Sequence, residues 1–456
     1  MGCCIRLQPE LPSHRIRIRT GSGDERDESG SDFSEALGFR FRGGAVTNTM
    51  AQATASAGRS KRLALACLAP VFAIGVLELV GRLLGLAPFI PEPISPGFFG
   101  DKLYDTVVRE GVSYRTILPS KERQLDTIVR QVSFTAAKPP GTYRIFCVGG
   151  STVYGDGVEE SEAFPALLQK ILPERFPPRR FEVINAGTCG YGTARTLNVV
   201  REVLDYSPDA LVIYALNNEV LDKAAAKKFD SWRWRLARRA RFLSGLRSLS
   251  LLAWAVERIL PLSPPTVREV SEAERCEMLD RFRENMATMV REAKARGVAV
   301  VLCTGAVNFK EKGLSPDQVT RGRARVFSAE PDPRTKLREY EADPQPYDRY
   351  YGMAVCYEAL READKAREYY LKAIEYDPYP LRVTPSENRA IRKLARQEGV
   401  LLADIEQAIS KLSPGGIVGF EYLPDNCHFN PAGHRVAAEE IAKALAPLLG
   451  GTVRAK

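Results

Sequence analysis

From Tyr143 onwards, short β-branched runs alternate with amphipathic stretches, and this alternation narrows the possible folds more than any other feature. Tyr143–Val148, Phe181–Asn185, Ala210–Ala215, Val298–Cys303 and Val400–Ala403 each read as a buried strand. Ala163–Leu172, Thr193–Leu204, Glu272–Ala295 and Ala432–Leu448 read as the helices between and after them. A parallel strand reaches its neighbour only through a long crossover, and a helix provides that crossover while covering one face of the sheet. The expected core is therefore α/β: a three-layer αβα sandwich around a mostly parallel five-stranded sheet, over residues 139–450. Reactive groups in such a sheet belong on the loops at the carboxyl ends of its strands.

The amino-terminal third has a different character. Residues 1–60 are expected to be disordered, since Gly21–Ser34 holds almost no apolar side chain. Met1-Gly2-Cys3-Cys4 invites a lipidation reading, but Arg6 stands where a myristoylation motif wants Ser or Thr. Translation from Met50 is a second option; Arg59, Lys61 and Arg62 would then lead into the uncharged run Leu63–Leu77. Glu78 and Arg82 follow, four apart, and then Leu83–Ile90. A bilayer span needs roughly 20 apolar residues, a length reached if Arg82 snorkels to the far interface. Residues 63–90 are thus expected to be a single transmembrane anchor. The basic flank puts the amino terminus in the cytoplasm and the rest at the outer face of a bacterial cytoplasmic membrane. A cleaved signal peptide ending near Gly85-Leu86-Ala87 and a buried soluble helix are the alternatives. Cys67 has no lipobox before it. Residues 91–138 start Pro-rich and read as a membrane-proximal linker.

Two insertions interrupt the α/β pattern. Residues 221–262 are rich in Lys and Arg and hold all three tryptophans, Trp232, Trp234 and Trp254. Such a helix suits a membrane interface or an anionic polymer, or else forms a solvated cap on the core. The net charge of +9 tolerates anionic surfaces without calling for nucleic acid, and no nucleic-acid partner is expected. Residues 347–380 place Tyr350, Ala354, Tyr357, Ala366, Tyr370, Ala373 and Pro378 at the spacing of one tetratricopeptide-like unit. A lone unit cannot bury its own face, so it is expected to pack on the core and to offer a protein partner a surface. An ordinary helical hairpin is the alternative.

Four short segments carry the chemistry. Gly149-Gly150-Ser151-Thr152 follows the first strand of the core, where paired glycines let a turn expose a hydroxyl; Ser151 as a helix N-cap is the plain alternative. Asn185-Ala186-Gly187-Thr188-Cys189-Gly190 follows the second strand and can present a backbone N–H to a developing oxyanion, or be a tight turn. Asn217-Asn218-Glu219 follows the third strand and offers side-chain amides, or a polar turn. Asp425-Asn426-Cys427-His428 lies just before the last helix. The chain has three histidines, His14, His428 and His434, so two of them sit in or near this segment. A general base near neutral pH is most often His, and a nearby Asp can fix its tautomer. His428 and His434 as a metal pair would lack a third ligand nearby. Nine cysteines without a C-x-x-C pair suggest no zinc site.

In this order, each at a strand end or helix entry, the four segments resemble the blocks of the GDSL/SGNH hydrolase superfamily over about Gly141–Leu449. They look most like its membrane-anchored bacterial members with Gly-Gly-Ser-Thr, Asn-Glu and a helical-repeat insertion. The resemblance implies an SGNH/flavodoxin-like sheet and a serine esterase in which Ser151 is the nucleophile, His428 the base and Asp425 its orienting carboxylate. Gly190 and Asn218, with the Ser151 N–H, would hold the oxyanion. It implies no metal and no organic cofactor. The substrate would be an acyl ester, O-acylated envelope polysaccharide or lipid being in keeping with the location. An O-acyltransferase using the same Ser and His, or a non-catalytic envelope scaffold, remain open. Three positions depart from or blur the pattern. Gly150 replaces the name-giving Asp, Leu216 stands where many relatives have Gly and is expected to narrow the pocket, and Asn217 competes with Asn218. Cys189 and Cys427 flank the expected catalytic positions, and a disulfide between them is a further expectation.

Overall fold

The computed structural model describes residues 68–85, 102–118, 127–229, 269–311 and 328–450. The amino-terminal 60 residues, Met50, and Trp232, Trp234 and Trp254 of the basic insertion lie outside them. The helix over residues 68–83 belongs to one unit of the chain and the remaining described residues to another. That helix is the described part of the expected anchor. No helix among the described residues is long and apolar enough to cross a membrane. Within the helix over residues 68–83, Arg82 Nε donates to Glu78 Oε1, 3.2 Å away, one helical turn back.

The five expected core strands form one fully parallel sheet. They are β4 (Thr142–Gly149), β5 (Arg180–Gly187), β6 (Ala210–Tyr214), β7 (Ala299–Cys303) and β8 (Leu401–Ala403), in the order β5-β4-β6-β7-β8. Ile145–Val148 and Ala210–Tyr214, on the two middle strands, are almost wholly out of contact with solvent. This is why they read as continuous apolar runs rather than alternating ones. Each such Val or Ile contributes about 1.5–3 kcal/mol relative to exposure.

Helices cover the sheet in two groups. Helix α2 (Phe164–Arg175) packs with the last helix, α11 (Pro431–Leu449), and α3 (Thr193–Val203) packs with α5 (Glu272–Ala295), which also meets α9 (Pro385–Glu398). Their ends follow local chemistry. Ser271 and Glu274 form a reciprocal capping box at the start of α5, and Thr384 and Glu387 do the same for α9. Asn430 caps α11 by accepting the Gly433 N–H, with Pro431 as the first helical residue. That cap, two residues after His428, fixes the end of the loop that carries it.

One part differs from the sequence expectation. The stretch read as a linker contains a three-stranded antiparallel sheet, β1 (Asp105–Arg109), β2 (Val112–Thr116) and β3 (Ser133–Thr135). Glu110 and Gly111 both have positive φ, 50° and 76°, which makes the two-residue hairpin turn compatible with strand twist. The carboxylate of Glu202 on α3 ties this sheet down by accepting the N–H groups of Leu103 (2.5 Å) and Tyr104 (2.9 Å). The second insertion forms α7 (Pro346–Ala359) and α8 (Ala363–Glu375), with α6 (Pro333–Glu341) joining them through Tyr340, whose ring lies against Gly352. As expected, the pair rests on the core: Phe309 stacks on Tyr370 at 6.0 Å, and Tyr351 donates to the Lys310 carbonyl at 2.8 Å.

Candidate active site

The carboxyl ends of β4, β5 and β6 meet the loop before α11, and the sequence-selected side chains converge there. At the end of β4 the chain turns sharply into α1 (Ser151–Tyr154). Gly149 has φ 154°, and a Cβ there would lie 2.0 Å from the Tyr214 carbonyl oxygen of β6, so only glycine lets the strands approach this closely. Gly150, not Ser151, is the N-cap, and it makes no side-chain bond. The Ser151 hydroxyl is thereby left for another partner. Its Oγ lies 2.7 Å from His428 Nε2.

Asp425 holds His428 from the far side. Its Oδ2 is 2.6 Å from His428 Nδ1, and its Oδ1 accepts the N–H groups of His428 (2.7 Å) and Cys427 (2.9 Å). A carboxylate on Nδ1 places the ring proton there and leaves Nε2 as the acceptor facing Ser151. Burial raises the Asp425 pKa, but the His428 and backbone bonds outweigh it and hold the carboxyl below its ordinary range. At His428, burial disfavours the cation, yet the Asp425 hydrogen bond and the neighbouring Cys427 raise the pKa above 6.5. A base must be neutral to accept a proton, so the acidic limb of kcat/KM is expected above pH 6.5. Asp425→Asn should move that limb downwards, and a pH–rate profile of both proteins checks it.

The loop after β5 carries Gly190 in the left-handed region, φ 74°. It is fastened on two sides: Thr188 N donates to the Gly149 carbonyl at 2.9 Å, and Thr127 Oγ1 donates to the Cys189 carbonyl at 2.7 Å. After β6, the two asparagines separate. Asn217 has φ 78°, and its Oδ1 accepts the Val383 N–H at 2.8 Å, turning the amide towards the scaffold. Asn218 Nδ2 donates one hydrogen to the Tyr191 carbonyl at 3.1 Å. It also lies against Gly150: a Cβ built there would be 2.9 Å from this nitrogen. Gly150→Ala is therefore expected to displace the Asn218 amide, press on the Tyr191 carbonyl 3.2 Å away and lower kcat about 10- to 10²-fold, more than any fall in the thermal midpoint accounts for. Steady-state kinetics beside an unfolding scan would show it.

Leu216 is buried, and its Cδ1 would lie 2.6 Å from a Cβ at Gly305. Cys189 and Cys427 are both free thiols. His434 lies within the core between Phe164 and Phe429, with Nδ1 accepting the Phe164 N–H at 3.2 Å. Burial, then the charges of His428 and Arg130, push its pKa down to about 3. Asp425, Cys427 and His428 bring donor atoms within 4.8 Å of one another, but His428 Nδ1 is already engaged by Asp425.

Sequence reasoning missed Asp156. Its Oδ2 lies 3.7 Å from His428 Nε2, on the Ser151 side of the ring. It lines a cleft of about 360 Å³ with Arg130, Tyr154, Glu159, Glu162 and Pro431 among its walls. Arg130 clasps the rim by donating to the carbonyls of Tyr154 (3.0 Å), Gly155 (2.9 Å) and Val158 (3.0 Å). No local motif marks these residues, because the clasp joins segments 24 to 28 residues apart.

Solved structures similar to this chain include TesA, at 15% identity and TM-score 0.32 over 67% of this chain and 99% of that one. The acetyl xylan esterase AlAXEase is 15% identical with TM-score 0.33, over 66% and 99%. The acetylxylan esterase Axe2 of Geobacillus stearothermophilus is 15% identical with TM-score 0.33, over 69% and 97%. No curated protein matches the chain. The sequence profile of the GDSL-like Lipase/Acylhydrolase family matches residues 147–436, more than half the chain and a span that contains all four strand-end segments. The chain therefore belongs to the GDSL-like lipase/acylhydrolase family and is a hydrolase acting on ester bonds.

Proposed function

We propose that the chain hydrolyses acyl esters through Ser151, His428 and Asp425. The observation that carries this is the unbroken hydrogen-bonded line from Ser151 Oγ through both His428 nitrogens to Asp425, at 2.7 and 2.6 Å. His428 Nε2 takes the hydroxyl proton as Ser151 Oγ attacks the ester carbonyl. The N–H groups of Gly190 and Ser151 and the free amide hydrogen of Asn218 receive the oxyanion. Collapse expels the alcohol, which takes the proton back from His428. Water, activated by the same nitrogen, then releases the acid and restores Ser151. These steps need no metal or organic cofactor.

The substrate we propose is an O-acylated polysaccharide or lipid of the cell envelope. The support is the basic apolar run ahead of the catalytic domain, which reads as a single-pass anchor over residues 63–90 with the domain outside a bacterial cytoplasmic membrane. The α7–α8 hairpin, at tetratricopeptide-like spacing, is the proposed place for a protein partner. The test uses the full chain in detergent with p-nitrophenyl acetate, butyrate and octanoate, followed by O-acetylated polysaccharide with labelled acyl groups. Hydrolysis that is lost in Ser151→Ala, with label recovered as free acid, is the expected result. Label recovered on an acceptor sugar would instead make the chain an acyltransferase. Equal rates in wild type and Ser151→Ala would overturn the assignment of the nucleophile.

A further inference from the structure

Behind the Gly190 loop lies a buried ion pair that the proton relay does not use. Asp222 stands in the first turn of α4 (Glu219–Phe229), and Arg195 in the first turn of α3. Their side chains are 5% and 7% exposed. The Asp222 carboxylate accepts the backbone N–H groups of Gly192 (3.0 Å), Ala194 (2.8 Å) and Arg195 (3.2 Å), and the Arg195 Nε at 2.5 Å. The other arm of Arg195, through Nη2, donates to the Gly190 carbonyl. The guanidinium also lies over the Tyr191 ring, 4.2 Å from its centroid. Tyr191 is the residue whose carbonyl holds the Asn218 amide. Asp222 N–H in turn donates to the Asn218 carbonyl at 3.0 Å.

A buried ion pair is a poor source of stability, because desolvation of two charges offsets their attraction. Its clearest consequence here is geometric. A planar fork fixed at one end by a carboxylate has one orientation in which the other arm meets a carbonyl. Gly190 has no Cβ to limit its torsions, so the loop needs an external restraint to keep its N–H aimed. Arg195 restrains the peptide on one side of Gly190, and Thr127, through the Cys189 carbonyl, restrains the other. A single carboxylate thus governs Gly190 through Arg195, and Asn218 through the Gly192 N–H, which shares its peptide plane with the Tyr191 carbonyl.

We propose that Asp222 and Arg195 are positioning residues that hold both oxyanion donors, the Gly190 N–H and the Asn218 amide, in register with Ser151. The proposal rests on the assignment of those two donors under the proposed function. Neither residue touches the ester. Their loss should appear in kcat with KM little changed, because the oxyanion exists only beyond the ground state.

The experiment is a cycle on the full chain with p-nitrophenyl acetate: Asn218→Ala, Asp222→Asn and the double variant, with Arg195→Lys beside them. Asn218→Ala is expected to lower kcat on the order of 10²–10³-fold. Asp222→Asn keeps the size but not the charge, and should lower kcat about 10- to 10²-fold. The double variant should fall well short of the product of the two losses, because Asp222 acts in part through Asn218. Lysine at 195 can reach Asp222 but cannot span to the Gly190 carbonyl as well, so Arg195→Lys should lose roughly 10-fold. A loss in Asn218→Ala with unchanged kcat in folded Asp222→Asn overturns the positioning role alone. Strict multiplication of the two losses overturns it as well. Unchanged kcat in Asn218→Ala removes the donor assignment and the proposal with it. If Asp222→Asn does not fold, Arg195→Lys decides: wild-type kcat overturns the proposal.

Discussion

His428→Ala is expected to lower kcat for ester hydrolysis by about 10⁴- to 10⁶-fold while the protein stays folded. The reason is local. Ser151 Oγ meets His428 Nε2 at 2.7 Å, and among the described residues the one other histidine, His434, is buried with its Nδ1 committed to the Phe164 amide. Among the described residues no second imidazole can take over. Ser151→Ala should fall as far, and the Ser151→Ala, His428→Ala double variant little further, because the two act as one unit. Asp425→Asn should cost less, about 10⁴-fold: it preserves the two backbone bonds to Oδ1 but presents an ill-matched group to Nδ1. Asp425 is also half exposed, so water replaces part of its field. Turnover with p-nitrophenyl acetate, read beside the thermal unfolding midpoint of each variant, distinguishes lost chemistry from lost structure.

The second large effect concerns stability in acid. His434 is fully buried and neutral, with a pKa pushed down to about 3 from 6.5. A histidine freed by unfolding binds a proton below pH 6.5, whereas the folded one does not until about pH 3. Its contribution is present above pH 6.5 and is lost as pH falls through that window. The slope is about 1.4 kcal/mol per pH unit for one proton, or about 3 kcal/mol between pH 6.5 and 4.5. His428 does not blur the window, since its raised pKa confines its own linkage to pH above 6.5. His434→Asn keeps an acceptor for the Phe164 N–H and removes the titration. The variant should be less stable than wild type at pH 7, and the gap should close as the pH falls. Urea unfolding at pH 7, 5.5 and 4.5 measures it, and parallel curves for the two proteins would contradict the account.

The layers of the core were legible because burial leaves a local signature. Residues 210–215 form one short continuous apolar run, as a strand covered on both faces does, and the helix expected over Glu272–Ala295 starts at the Ser271–Glu274 capping box. The four strand-end segments were legible for the same reason: each is short, contiguous and punctuated by glycine or asparagine. What escaped was whatever depends on residues far apart in sequence. β1 and β2 are largely solvent-facing and carry weak alternation, and only the Glu110-Gly111 turn hinted at them. The Asn-Glu pairing favours Asn218 over Asn217 in sequence, but the structural separation of the two turns on a backbone angle and on Val383, 166 residues away. The approach of Leu216 to Gly305, 89 residues on, likewise cannot be inferred from its neighbours in sequence. The Arg195–Asp222 pair looks like ordinary helix charge until the fold brings α3 and α4 together.

The most direct test of the central claim is covalent trapping of the nucleophile. The full chain would be treated with a fluorophosphonate ester, digested, and the modified residue located by mass spectrometry. A phosphonyl adduct on Ser151, absent in Ser151→Ala and formed far more slowly in His428→Ala, is the result the account predicts. Modification at another residue, or none while wild type still hydrolyses p-nitrophenyl esters, would contradict it.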